Sequence, residues 1–123
     1  MQAEVPQILN QLKECLAELV PPLQIRVAND TTFEVAGTKR VMQGKKQVDG
    51  MYFASLVPKP KDVRLYFFPI YTHPDSFELS TKLRKALKGK SCFHIKQLDE
   101  ELANEITTMM EKGLKIYLDE EWV

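Results

Sequence analysis

Four side chains carry the chemistry of strong metal ligands or nucleophiles: the thiols of Cys15 and Cys92 and the imidazoles of His73 and His94. No pair of them keeps the short spacing of zinc ligands, so neither a metal site nor a catalytic residue is read from them. Cys92 and His94 come nearest to a pair. Two positions apart on a strand, they share a face about 7 Å apart, too far for the hydrogen bond that activates a thiolate. His73 lies in Tyr71-Thr72-His73-Pro74-Asp75, where Asp75 could hold one ring tautomer. The same residues are also ordinary turn vocabulary. Lys45 and Lys46 follow Gly44, but no glycine-rich loop runs from there into a helix, as phosphate binding of that type needs. Asp119-Glu120-Glu121 could attract a hard cation weakly, and reads more simply as a solvated helix end.

A richer candidate is aromatic. The run from Val48 to Ile70 reads as a hairpin: Met51 to Val57, a proline-rich connection Pro58-Lys59-Pro60-Lys61-Asp62, then Val63 to Phe68. In the second strand Val63, Leu65 and Phe67 share one face and Arg64, Tyr66 and Phe68 the other. One face is apolar and belongs in the core. The other is aromatic and partly polar, and we expect a shallow ligand-binding groove there. Its candidate residues are Tyr52, Arg64, Tyr66, Phe68, Tyr71, His73 and His94, with no cofactor implied. The competing expectation is that the loop from Pro69 to Phe77, or a second copy of the chain, covers these rings.

The elements that must position them can be read from periodicity. Val5, Ile8, Leu9, Leu12, Leu16 and Leu19 form the stripe of an N-terminal helix that Pro21-Pro22 ends. Leu23 to Val27 suits an edge strand, and Thr31 to Val35 alternates like a strand. Lys39 to Val48 allows two short strands around Gly44-Lys45-Lys46. Pro69 to Phe77 reads as irregular, and a short helix from Leu79 to Leu87 should stop at Gly89. Cys92 to Lys96 is a last strand. Asp99 caps a final helix whose apolar face runs from Leu102 through Ile106, Met109, Met110, Gly113 and Leu114 to Tyr117. These elements predict an α+β fold of two layers: an antiparallel sheet with the N- and C-terminal helices packed on one face.

The 123 residues suit one domain over residues 1–123, and 44% hydrophobic content supports a folded core. Lysine plus arginine and aspartate plus glutamate balance at 17 each, which makes nucleic acid an unlikely partner but leaves room for a local basic patch. Two scattered cysteines read as reduced side chains. There is no basic region before an apolar run at the N-terminus, and no stretch has the length of a membrane span, so a cytoplasmic location is expected.

Four segments carry a likeness: Gly37-Thr38-Lys39, Val48-Asp49-Gly50-Met51-Tyr52-Phe53-Ala54-Ser55, Tyr66-Phe67-Phe68-Pro69-Ile70-Tyr71 and Leu87-Lys88-Gly89-Lys90-Ser91-Cys92-Phe93-His94-Ile95. Together they resemble the YdhG-like family of small bacterial proteins, in a branch without an assigned function. The likeness runs on through the last helix to Trp122. It implies the two-layer fold and no reaction. Part of that family is described as frataxin-like, handling iron in the cytoplasm, but no iron ligand of that branch can be carried onto a position here. Three functions follow as expectations: a non-catalytic binding or adaptor domain for a small molecule or protein, frataxin-like intracellular iron binding, and an enzyme whose site is assembled from distant residues.

Overall fold

Why the chain forms a layer of helices on a sheet is plain from its first element. The computed structural model describes residues 5–43, 45–48 and 50–123, so Gly44 of the expected turn and Asp49 lie outside it. Helix α1 (Val5–Ala17) buries Ile8, Leu12 and Leu16 on one stripe. It ends before the two prolines, and Leu19 is buried in the turn that follows. Eight strands come next: β1 (Gln24–Ala28), β2 (Phe33–Ala36), β3 (Val41–Gln43), β4 (Lys46–Val48), β5 (Tyr52–Pro58), β6 (Val63–Phe67), β7 (Leu87–Lys88) and β8 (Cys92–Ile95). Between β6 and β7 stand α2 (Pro69–Thr72), a 3-10 turn (Pro74–Ser76) and α3 (Thr81–Ala86). Helix α4 (Glu100–Asp119) closes the chain.

Six strands form one antiparallel sheet in the order β1-β2-β5-β6-β8-β7, and β3 pairs with β4 as a separate hairpin. Alternation in β6 works as the sequence implies: Val63, Leu65 and Phe67 are fully buried, while Arg64 and Tyr66 are half-buried. Strand β5 does not alternate. Val35 of β2 pairs with Ala54, but Ala36 pairs with Tyr52, so Phe53 is an extra residue in a β-bulge. The bulge puts Phe53 into the core beside Ala54 and leaves Tyr52 facing the other way.

Helices cover the side bearing Phe53 and Phe67. Helix α1 packs on β5 and β6, and α4 packs on α1 and α2. Tyr117 of α4 stands edge-on to Phe53 at 5.1 Å, and its hydroxyl donates to the Tyr52 carbonyl. Close approach of α4 requires Gly113, where an added Cβ would lie 2.6 Å from the Phe67 ring and 3.0 Å from Pro69. After α4 the chain folds back, and Trp122 lies 5.0 Å from the Tyr117 ring. The Trp122 carbonyl backs directly onto Gly37, a position that no side chain could occupy unchanged.

Local differences from the sequence reading have simple causes. Ser80 caps α3 by accepting from the Leu83 amide at 3.2 Å, so the helix starts later than expected. It ends at Ala86, because Leu87 already pairs with Phe93 in the sheet. Gly89, with φ of 77°, serves the tight β7–β8 turn rather than a helix stop. The segment after Pro69 is not wholly irregular, since Pro69 opens a single helical turn.

Candidate functional site

The sheet face away from α1 and α4 collects most of the polar aromatic residues. Register builds it row by row. Ser55 stands opposite both Glu34 and Tyr66, Tyr66 opposite Cys92, and Cys92 opposite Lys88. Two residues along, on the same face, Val57 stands opposite Arg64, and Arg64 opposite His94. Tyr52 joins the same face through the bulge, and its hydroxyl is hydrogen-bonded to Ser55 Oγ. Tyr52 meets Phe68 edge-on at 5.6 Å, and Phe68 stacks on Tyr71 at 5.4 Å. The Lys90 ammonium lies 5.8 Å from the centre of the Tyr71 ring. Tyr52, Tyr66 and Phe68 are partly exposed, and Tyr71 is 51% exposed. The segment after Pro69 thus covers Phe68 in part, through Tyr71, and leaves all of these rings partly exposed.

Polar groups on this face are held by specific partners. Asp62, only 5% exposed, ends the β5–β6 turn and serves two side chains. Its Oδ1 accepts from Arg64 Nε at 3.3 Å, and its Oδ2 lies 3.8 Å from His94 Nδ1. At the far edge Arg26 donates to Glu34 Oε2 at 2.7 Å. Both carboxylates on the face thus have a cation beside them, while Lys88 and Lys90 add charge that no ion pair among the described residues offsets.

The protein's charge is uneven along the chain. Residues 37–98 contain 13 Lys or Arg and 4 Asp or Glu. Residues 99–123, essentially α4 and its end, contain 2 and 8. The two segments meet where Lys82 of α3 pairs with Asp99 and Glu101.

Titration behaviour follows burial. The Tyr52 hydroxyl is pushed up to about 12, chiefly because burial disfavours the phenolate. Burial likewise raises Tyr117. The Cys92 thiol is raised by burial, although a hydrogen bond with Tyr66 and the Arg64 charge act in the opposite direction. Cys92 is therefore kept protonated, a poor nucleophile. At 3.8 Å Asp62 is too far from His94 for the hydrogen bond by which a carboxylate orients an imidazole.

Of the seven residues singled out from sequence, the structure brings Tyr52, Arg64, Tyr66, Phe68, Tyr71 and His94 onto one continuous surface. His73 departs from it. Its Nδ1 is 2.8 Å from Thr72 Oγ1, and its Nε2 is 3.6 Å from Glu120 Oε1. Its ring stands edge-on to Trp122 at 5.8 Å. The carboxylate facing His73 is therefore Glu120 and not Asp75, because the one-turn α2 aims the imidazole at the end of α4. The sequence reading missed Asp62, Ser55, Lys88 and Lys90. Asp62 looked like part of a turn, and its role depends on which strand lies beside β6.

Both cysteines are free, and Cys15 Sγ lies 3.4 Å from Thr107 Oγ1 at the α1–α4 contact. Among the described residues no three His, Cys, Asp or Glu side chains converge as a metal-ligand set, and no helix is long and apolar enough to cross a membrane. Two of the surface cavities among the described residues stand out. One, of about 660 Å³, lies between α4 and the segment from Asp75 to Leu83. The other, of about 740 Å³, lies between α2, α3 and the β7–β8 turn. Neither is lined by Tyr52, Tyr66 or Phe68. Comparison with family models, curated proteins and solved structures yields no match.

Proposed function

We propose that the chain is a non-catalytic binding or adaptor domain whose open sheet face docks an acidic surface of another protein. The observation that carries this reading is a partly exposed aromatic sheet face, Tyr52, Tyr66, Phe68 and Tyr71, edged by Arg64, Lys88 and Lys90. Aromatic rings supply contact area at low entropic cost and are favoured at interface centres, with polar groups at the rim. The two cavities do not reach Tyr52, Tyr66 or Phe68, although one shares Tyr71 and Lys90 with the edge of the face, and this favours a broad partner over a compact small molecule at those three rings. The unpaired Lys88 and Lys90 at its rim favour an acidic partner and steer its approach. The likeness to the YdhG-like family accords with this reading, since it implies a scaffold and no reaction.

The test is a titration of isotope-labelled protein with a short peptide alternating Glu and Phe. Its Lys–Phe counterpart and an oligothymidylate serve as the comparison probes. The acidic peptide should shift the Tyr52, Tyr66 and Phe68 ring resonances saturably, more weakly as salt rises, and not in Tyr66→Ala or Arg64→Glu. Shifts produced only by the oligonucleotide would make the partner a nucleic acid. Equal shifts with the basic peptide would remove the charge argument.

A further inference from the structure

The cavity between α2, α3 and the β7–β8 turn has a composition of its own. Its floor is apolar: Ile70, Pro74, Phe77, Leu79 and Leu87. Tyr71, Arg84, Gly89 and Lys90 complete the lining, so it has two cations and no carboxylate. Asp75 and Glu78, the nearest acids in sequence, line the other cavity instead. Its volume of about 740 Å³ falls within the range of small-molecule sites, which combine an apolar surface with few polar groups.

The two cations are available to a ligand. Arg84 Nε donates to the Leu79 carbonyl at 3.0 Å, which ties down one edge of the guanidinium. The Nη1 and Nη2 pair makes no ion pair or hydrogen bond among the described residues. That pair is the end of the fork that grips a carboxylate with two parallel bonds. Lys90 rests over the Tyr71 ring at 5.8 Å and has no acidic partner among the described residues. Both cations therefore remain uncompensated beside an apolar floor.

We propose that this cavity binds a small organic acid, its apolar body on the Ile70–Pro74–Phe77–Leu79–Leu87 floor and its carboxylate on Arg84 and Lys90. The site adjoins the docking face and shares Tyr71 and Lys90 with its edge. An occupant here would fix the Tyr71 ring and so touch the edge of the aromatic surface.

The experiment uses the full chain, isotope-labelled, titrated with 2-naphthoate and, separately, with the uncharged 2-naphthylmethanol. Naphthoate should produce saturable amide shifts at residues 70–90. The alcohol should bind at least about tenfold more weakly, as loss of a charge-assisted pair implies. The double variant Arg84→Gln/Lys90→Gln, both exposed positions, should keep a folded spectrum and lose about tenfold or more in naphthoate affinity. The proposal is overturned if millimolar naphthoate causes no shift, if the alcohol binds equally well, or if the double variant binds as the parent does. Shifts at Tyr52 and Tyr66 without shifts at residues 70–90 would also overturn it, and leave the docking face as the site. Failure of the peptide titration above would leave this proposal intact.

Discussion

Neighbouring residues of β6 have opposite fates, and a pair of substitutions exposes the difference. Phe67 is fully buried, so Phe67→Ala should cost about 3–5 kcal/mol through lost transfer energy and a residual cavity. Tyr66, one position away on the open side, should cost about 1 kcal/mol or less when changed to alanine. Denaturant midpoints of the two variants check this directly, and equal losses would mean that something covers the open face. Tyr52 makes a second prediction, in pH. Its hydroxyl is raised from 10.0 to about 12, so the fold favours the protonated form. Stability is then fully present below pH 10 and is lost as pH rises toward 12. Urea midpoints at successive pH values should fall through that window, and less steeply in Tyr52→Phe. Part of this residue chemistry was legible in the sequence: the alternation Val63-Arg64-Leu65-Tyr66-Phe67 alone separates core from surface. Asp62 was not, because its two partners are set by the pairing of Arg64 with His94, thirty residues apart in the chain.

At the scale of elements, hydrophobic period located both long helices and most strands, and tertiary pairing moved their ends. Leu87 is the instructive case. Its spacing from Leu79 and Leu83 marks it as helical, yet its pairing with Phe93 makes it a strand residue. Tyr52 is another. Strict alternation from Ala54 would bury it, and the bulge at Phe53 reverses its direction, a feature with no local sequence signature. The seating of α4 gives a third prediction. Gly113→Ala gains about 1 kcal/mol of helix propensity but drives a methyl group into Phe67 and Pro69, and overpacking of that kind costs about 1–3 kcal/mol. Thermal unfolding should therefore show net destabilisation. A stabilised variant would mean that α4 sits farther from the sheet. The cap of the same helix supplies a fourth: Asp99 accepts from the Leu102 amide at 2.8 Å, and Asp99→Ala should lower the urea midpoint while Asp99→Asn, which keeps the acceptor, should largely preserve it.

For the whole molecule, the sequence's neutral charge concealed how the fold distributes it. Residues 99–123 carry 8 of the 17 acidic residues, and residues 37–98 carry 13 of the 17 basic ones. On the sheet side that the helices leave open, Lys88 and Lys90 stand without an ion-pair partner among the described residues. The docking role proposed above rests on this open surface. The buried Asp62 steadies Arg64, and a broad aromatic area extends from Tyr66 to Tyr71. The most direct measurement is the relaxation that a neutral gadolinium chelate induces in the aromatic side chains of the folded protein in dilute solution. The rings of Tyr52, Tyr66, Phe68 and Tyr71 should relax strongly, and those of Phe53, Phe67 and Phe93 should remain shielded. Equal shielding of Tyr66 and Phe67 would contradict an open docking face, whether another part of the chain or a second copy provided the cover.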